Sequence, residues 1–159
     1  METDNQDRNG TGPVLIAYDG SDEAKAAITE ASRQLSPNRE AVVLTVWQPV
    51  GALPFAGMAD GVQGIDDSIA AEALTVAKEG AELASSAGFR ATPLVETGSP
   101  IWQSIVSSAE QNQASLVVMG SHGRTGLGYV LMGSIAAAVA RHGALPVMIV
   151  HAPSEDSDD

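Results

Sequence analysis

The sequence predicts an α/β fold in which an open, five-stranded parallel sheet carries helices on both faces. Three observations lead to this prediction. Short apolar segments alternate along the chain with longer segments whose apolar residues recur at helical spacing. The segments 14–17 and 116–119 are apolar throughout, as expected of strands that are buried on both faces. A glycine-rich stretch then joins the second of these segments to a helical pattern.

Five apolar segments are predicted to form the strands of this sheet. The first, fourth and fifth are continuous apolar runs, and the second is rich in β-branched residues. Pro93 and Glu96 suit the third strand to an edge of the sheet rather than its centre. In chain order the strands are expected at 14–17, 42–47, 92–96, 116–119 and 147–150.

Helices are predicted in the intervals between the strands. Ser21 is expected to cap the first helix. Residues 49–64 are expected to form a long loop, either a lid or a disordered segment, and 66–68 (Asp-Asp-Ser) offer caps for the second helix. Pro100 is expected at the first position of the third helix, and Ser134 begins the fourth. The buried face of the second helix is expected to contain Ile69, Ala73, Val76, Ala77, Leu83 and Ala84.

The composition restricts the class of protein. A chain of 159 residues can form one domain with a sizeable core, which we expect over residues 13–152, between disordered tails at 1–12 and 153–159. The net charge of −12 argues against a nucleic-acid-binding protein. The absence of cysteine excludes disulfides and fits a reducing compartment. No apolar run reaches transmembrane length and the polar start is no secretory signal, so we expect a cytoplasmic protein without membrane contact.

The stretch from Gly120 to Ser134 (GSHGRTGLGYVLMGS) is the main candidate for a binding site. Its spacing is Gly120, two residues, Gly123, nine residues, Gly133 and then Ser134. Glycines allow the backbone to approach a ligand closely, and a helix N-terminus favours an anion. The stretch is therefore suited to a phosphate group, with the Ser134 hydroxyl either capping the helix or contacting the phosphate. The alternative is an ordinary turn before a helix, with glycines for flexibility.

This stretch resembles the nucleotide-binding loop of the universal stress protein family, in its ATP-binding branch. That branch carries G-x2-G-x9-G-[ST], which the glycines and the serine of the stretch match. Residues 14–21 resemble the family's first strand and turn, and 146–150 resemble its last strand. The resemblance implies the strand order 3-2-1-4-5 and an adenine nucleotide alpha-hydrolase-like fold. In that order the end of the first strand meets the glycine-rich stretch at the carboxyl ends of the strands.

The resemblance also implies which residues bind an adenine nucleotide. Ala17, Tyr18 and Asp19 would line the adenosine pocket, Val46 would pack on the adenine face, and Met119 would border the pocket. By its own chemistry, Asp19 could accept hydrogen bonds from adenine or ribose, or help to hold a metal. Within the stretch, the residues that match ribose- and phosphate-contacting positions of the family are Gly120, His122, Gly123, Gly133, Ser134 and Ile135. By their own chemistry, His122 could donate to a phosphate and Arg124 could bind one through two hydrogen bonds. The expected set is Ala17, Tyr18, Asp19, Val46, Met119, Gly120, His122, Gly123, Arg124, Gly133, Ser134 and Ile135.

Several of these side chains also have a plain structural interpretation, which the sequence leaves open. Asp19 suits a turn that holds no ligand. Val46 suits the core, His122 suits a structural or solvent-facing position, and Arg124 suits a solvated loop.

The expected ligand is ATP, ADP or AMP, with Mg²⁺ beside a triphosphate. The sequence contains no Walker motif, no Ser-His-Asp arrangement and no lysine near the glycine-rich stretch. The site is therefore expected to hold a nucleotide, and no residue is assigned as catalytic. A nucleotide-binding regulatory module is the first interpretation, and a slow ATPase or adenine-nucleotide transferase is the alternative. A weaker alternative is a dimeric stress scaffold that binds no nucleotide.

The last strand suggests a partner. It contains Val147, Met148, Ile149 and Val150, and the implied strand order places it at an edge of the sheet. Because an exposed apolar edge invites strand pairing, we expect a second copy of the chain to cover it in a homodimer. The alternative is cover by a loop or tail of the same chain.

Overall fold

The sheet contains the predicted strands in the predicted order. A computed structural model describes residues 12–49, 62–122 and 133–152. The strands pair in parallel in the order β3-β2-β1-β4-β5, which confirms the fold class. They are β1 (Val14–Ala17), β2 (Glu40–Trp47), β3 (Arg90–Thr97), β4 (Leu116–Gly120) and β5 (Val147–Val150).

Helices lie on both faces of the sheet and connect its strands, as parallel pairing requires. The helices are α1 (Asp22–Gln34), α2 (Val62–Ser86), α3 (Ile101–Gln111) and α4 (Ser134–His142).

In the part of the chain that the structure describes, no helix is long and apolar enough to cross a membrane.

A hydrophobic cluster on each face of the sheet encloses β1. Successive residues of a strand point to opposite faces. Val14 and Ile16 therefore pack with residues of α1 and α2, and Leu15 packs with residues of α3 and α4. The same alternation continues to the last residue of the strand and one residue beyond it. Ala17 belongs to the α3/α4 side and Tyr18 to the α1/α2 side.

The start of α2 differs from the sequence-based prediction. The helix begins at Val62, so residues 66–68 lie inside it and do not cap it. The Ser68 hydroxyl donates to the Gly64 carbonyl oxygen (3.1 Å), one helical turn back, which satisfies it without ending the helix. Helix α2 thus includes the end of the predicted 49–64 loop, and residues 50–61 lie outside the described residues. The predicted tails also lie outside them, except for Gly12.

The buried face of α2 also differs from the prediction. Leu83 is predicted to be buried, but it is 38% exposed. The face that packs on the sheet is a stripe of small residues at helical spacing, and Leu83 lies one position away from it. The stripe consists of Ala73, Ala77, Gly80, Ala81 and Ala84.

Other boundaries shift by one or two residues. Strands β2 and β3 begin at Glu40 and Arg90, whose polar side chains give no strand signal. They join the sheet because their backbones pair with each other, and their side chains form an exposed ion pair (3.4 Å). Pro100 is the N-cap residue of α3, and Ile101 is its first helical residue.

The close packing of α2 on the sheet depends on Gly80. A Cβ atom at this position would lie 2.6 Å from Tyr18 Cδ1 and 2.8 Å from Val43 Cγ1. Both neighbours belong to the buried core, where side chains have little room to move. A side chain at position 80 would therefore push the helix away from the sheet.

Gly80→Ala is expected to lower the free energy of unfolding by about 1–3 kcal/mol, because the overpacking outweighs the better helix propensity of alanine. The matched control is Gly64→Ala in the same helix, where an added Cβ meets no heavy atom within 4 Å. This control should be neutral or stabilising by up to about 1 kcal/mol. Urea unfolding measures both, and equal stabilities of the two variants would contradict the packing argument.

Candidate functional site

A cavity of about 310 Å³ lies at the carboxyl ends of β1 and β4. The helix that follows β1 lies on one face of the sheet and the helix that follows β4 lies on the other. Open α/β sheets bind their ligands at such a point. Its volume is at the lower end of the range for small-molecule sites. The elements that line it are the ends of β1, β2 and β4 and the beginnings of α1, α3 and α4.

The fold brings together the predicted site residues that the structure describes. Gly123 and Arg124 lie outside the described residues. The others come from three separate parts of the chain and all line the cavity: Ala17, Tyr18, Asp19, Val46, Met119, Gly120, His122, Gly133, Ser134 and Ile135.

Sequence reasoning missed several residues of the lining. Ile101 and Ile105 have an apolar spacing that indicates core packing, and they also form a wall of the cavity. Ser121 lies inside the glycine-rich stretch, and Ser21 lies in the cap of α1. The two isoleucines could have been found from the position of α3. This helix follows β3 directly, so its first turns lie near the carboxyl ends of the strands. The complete set of missed lining residues is Ser21, Ala24, Leu44, Ile101, Ile105, Ser121 and Ala136.

The side of the cavity formed by β2 and α3 is apolar. Leu44 and Val46 come from β2, and Ile101 and Ile105 come from the first turns of α3. Val46 is also part of the hydrophobic cluster on this face of the sheet, so its core interpretation and its site interpretation are both compatible with its position. Apolar walls with a few polar groups are typical of sites for small organic ligands.

The start of α4 forms another part of the cavity lining. Gly133 is the N-cap residue and Ser134 is the first helical residue, with no side-chain capping bond. The alternative prediction that Ser134 caps α4 is therefore wrong, because the backbone is already helical at that residue. A helix leaves the N–H groups of its first turn without intrahelical acceptors, and residues 134–136 line the cavity. This end of α4 favours an anion.

The two glycines of the stretch that the structure describes, Gly120 and Gly133, are both restricted by packing within the protein. A Cβ atom on Gly120 would lie 3.0 Å from Glu23 Cβ and 3.1 Å from the Glu23 carbonyl carbon. A Cβ atom on Gly133 would lie 2.6 Å from the Ser121 carbonyl oxygen, which also accepts the Gly133 N–H (2.6 Å). The first contact lets β4 end against α1, and the second lets α4 begin beside Ser121.

Asp19 closes the turn between β1 and α1. Its Oδ1 atom accepts the Ser21 N–H (3.0 Å), and the Ser21 hydroxyl oxygen accepts the Ala24 N–H (3.2 Å) as the cap of α1. Gly20 between them has φ of 81°, a conformation that favours glycine. The turn holds the Asp19 carboxylate at the cavity, so its structural and ligand-binding interpretations are compatible.

Tyr18 lines the cavity, but its hydroxyl is bound elsewhere. The ring is buried on the α1/α2 side of the sheet, and the hydroxyl donates to Glu79 Oε1 on α2 (2.6 Å). Burial and the Glu79 carboxylate raise the pKa of this hydroxyl. The Tyr18 N–H donates to the Leu44 carbonyl oxygen (2.8 Å), and its carbonyl oxygen accepts the Thr45 hydroxyl (2.8 Å). Tyr18 therefore shapes the cavity rather than supplying a reactive group.

The residues after β4 are held by a carboxylate from α1. Glu23 Oε2 accepts the Ser121 hydroxyl (2.9 Å) and the His122 N–H (2.5 Å). His122 Nδ1 lies 3.1 Å from Ser121 Oγ and 3.6 Å from Glu23 Oε1. Sequence reasoning missed this network, because Glu23 reads as an ordinary acidic residue in the first turn of a helix.

Within residues 12–49, 62–122 and 133–152, no three His, Asp or Glu side chains are grouped as a set of metal ligands.

The parallel sheet and the cavity at its strand ends define an α/β protein with a cleft at the topological switch point. Comparison with known proteins identifies its family. The sequence model of the universal stress protein family matches residues 10–151, and the chain belongs to this family.

Individual relatives support the assignment. Universal stress protein MJ0531 of Methanocaldococcus jannaschii is 30% identical over 154 residues, which cover 94% of this chain and 89% of that protein. The structure of MJ0577 from the same organism has a TM-score of 0.77 at 22% identity, covering 92% of this chain and 99% of that one. A universal stress protein crystallised in complex with cAMP has a TM-score of 0.64 at 25% identity, covering 89% and 98%.

Gly133→Ala is expected to lower the free energy of unfolding by about 1–3 kcal/mol, because the new Cβ would overlap main chain that cannot move cheaply. Ser134→Ala should change it by less than about 0.5 kcal/mol, since this side chain is exposed and forms no capping bond. Chemical denaturation of both variants checks the pair. A loss of about 1 kcal/mol in Ser134→Ala would instead identify Ser134 as the cap.

Proposed function

We propose that this protein is a regulatory module that binds an adenine nucleotide in the cavity at the ends of β1 and β4. One observation carries the proposal: a single cavity combines an apolar wall with the N-terminus of a helix. The apolar wall suits a base, and the helix N-terminus suits a phosphate. The relative crystallised with cAMP supports the same class of ligand.

The base is proposed to lie on the β2 side of the cavity. There Val46 would pack on the adenine face, with the apolar side chains of α3 also lining the cavity. Asp19 is proposed to accept a hydrogen bond from the adenine amino group or from a ribose hydroxyl, because a carboxylate is an acceptor only. Ala17, Tyr18 and Met119 would form the floor between these groups.

The phosphate is proposed to lie at the start of α4. The N–H groups of residues 134–136 would donate to its oxygens, with Gly133 providing the close approach of the backbone. Gly123 and Arg124 belong to the proposed site through the family motif, and the Arg124 guanidinium would add positive charge.

The nucleotide is proposed to be ATP, ADP or AMP, with Mg²⁺ accompanying a triphosphate. We assign no catalytic residue. The Ser121 hydroxyl, which is the buried hydroxyl at the cavity, donates its proton to Glu23 and is not directed at a ligand. A site of this kind is built to hold a nucleotide, and its bound state would change how the protein meets its partners. We expect the module to act in the cytoplasm, which its lack of cysteine favours.

Ser134→Asp tests the proposed phosphate position. Ser134 is exposed, and an acidic residue in the first turn stabilises a helix, so the variant should fold. The added carboxylate should weaken AMP binding by at least about tenfold through repulsion of the phosphate, and it should leave adenosine binding unchanged. Calorimetric titration measures both affinities.

The matched control is Gln103→Asp. It places the same charge in the first turn of α3, at an exposed residue that does not line the cavity. AMP should bind this variant as it binds the native protein. If Ser134→Asp binds AMP normally, the phosphate does not lie at α4. If the native protein, freed of copurified ligand, binds none of ATP, AMP and cAMP, the proposed function is wrong.

We also propose that β5 pairs with a second copy of the chain in a homodimer. Among the described residues β5 pairs with β4 alone, and the carbonyl oxygens of Pro146 and Val150 accept hydrogen bonds from that side. Since backbone groups alternate along a strand, those of Val147 and Ile149 point to the open edge. The side chains of β5 are only half-buried. A second copy would satisfy these groups and cover this apolar strand.

Light scattering at micromolar concentration should show a dimer, and hydrogen exchange should show protection of the Val147 and Ile149 amides. These amides have no partner within the described sheet, so protection would report pairing at this edge. A monomer would refute the dimer. Rapid exchange of both amides in a dimeric protein would place the interface elsewhere.

A further inference from the structure

We propose that Glu23 is a positioning residue for the candidate site, and that it acts through Ser121 to keep the ring proton of neutral His122 on Nδ1. The ring would then present Nε2 as a hydrogen-bond acceptor at the cavity. The effect of Glu23 on ligand binding rests on the proposed function, whereas its effect on the ring does not.

The inference begins with the single proton of the Ser121 hydroxyl. This hydroxyl donates to Glu23 Oε2 at 2.9 Å, and an ionised carboxylate can only accept. His122 Nδ1 lies 3.1 Å from the same oxygen atom. Because the hydroxyl proton is already used, the ring nitrogen must supply the proton of the second hydrogen bond. Nδ1 therefore carries the proton, and the donors run from His122 through Ser121 to Glu23.

The surroundings hold this chain of hydrogen bonds in place. Ser121 is 1% exposed, so its hydroxyl has little access to water as an alternative partner. The same Glu23 oxygen accepts the His122 backbone N–H (2.5 Å), which fixes the residue that carries the ring. Gly120 lies against the Glu23 main chain, where an added Cβ would come within 3.1 Å of the carbonyl carbon. The first turn of α1 therefore packs against the end of β4 and accepts hydrogen bonds from the residues that follow it.

The consequence concerns what His122 can recognise. A neutral imidazole with its proton on Nδ1 has a lone pair on Nε2 and accepts a hydrogen bond there. His122 lines the cavity, and its side chain is 17% exposed. A ligand hydroxyl can donate to such a nitrogen, whereas a phosphate oxygen has no proton to offer. We therefore assign the neutral His122 ring to a sugar hydroxyl of the ligand, and the phosphate to α4.

The ring proton can be located by ¹⁵N NMR of the ligand-free protein in mildly alkaline solution, where imidazole rings are neutral. The chain has three histidines, and His122→Gln assigns the signals of His122 by their loss. Native protein should show a protonated Nδ1 and an unprotonated Nε2. Ser121→Ala and Glu23→Ala should shift both signals toward the Nε2-protonated form. Asp22→Asn removes an exposed charge from the same helical turn and should leave them unchanged.

Two results would overturn the assignment. One is an unprotonated Nδ1 in the native protein, and the other is a protonated Nδ1 that persists in Ser121→Ala. A purely structural role of Glu23 would lower the stability of its variants without moving the ring proton. If Glu23→Ala does not fold, the spectra of native protein and Ser121→Ala are sufficient, since serine to alanine changes the buried volume little.

Titration with AMP tests the link to the ligand. Ser121→Ala and Glu23→Ala should each weaken AMP binding by about tenfold, the effect of losing a buried hydrogen bond at the site, and Asp22→Asn should have no effect. Unchanged affinity in both variants would overturn the role in binding. If native protein does not bind AMP, adenosine or cAMP, the proposed function fails, and the spectra still decide whether Glu23 positions the ring.

Discussion

The burial of β1 on all sides is the constraint on which the rest of the structure depends. Val14, Leu15 and Ile16 are 0% exposed, and the strand pairs with β2 on one side and with β4 on the other. Both faces of the sheet must therefore be covered, which places α1 and α2 on one face and α3 and α4 on the other. Helix α1 follows β1 on one face of the sheet, and α4 follows β4 on the other face. A cleft therefore opens at the carboxyl ends of these two strands. The position of the cavity thus follows from the topology alone.

The fold was predictable wherever hydrophobic burial determines structure, and less so where pairing or local hydrogen bonds do. Strands β1, β4 and β5 are apolar runs that were located almost to the residue. Their order came from the family resemblance, since periodicity contains no information on strand neighbours. The polar first residues of β2 and β3, Glu40 and Arg90, join the sheet because their backbones pair with each other. Neither residue type favours a strand, so this pairing could not be predicted from the sequence. The capping signal before α2 failed because Ser68 finds an acceptor inside the helix.

The sequence predicted which backbone segments form the candidate site, but it did not predict where their side chains point. The strand ends and the glycine spacing located the cavity, because topology brings these segments together. Tyr18 shows the limit, since the alternation of the strand turns its hydroxyl to Glu79 on the far side of the sheet. Glu23 shows another, because its contacts with Ser121 and His122 join residues that are distant in sequence. Only a structure relates the first turn of α1 to the end of β4.

Two glycines of the motif have a packing role, whereas the sequence suggests a role in ligand binding. Gly133 has no room for a side chain even in the protein alone, since an added Cβ would lie 2.6 Å from the Ser121 carbonyl oxygen. Gly120 has little room, since its added Cβ would lie 3.0 Å from Glu23 Cβ. The fold therefore requires glycine at 133 and favours it at 120, whether or not a nucleotide binds. Residues without a packing role are better indicators of a ligand. Ser134 and Ile135 are such residues, because both are exposed at the start of α4 and both line the cavity. A change at Gly133 reports on folding, whereas a change at Ser134 reports on what the cavity holds.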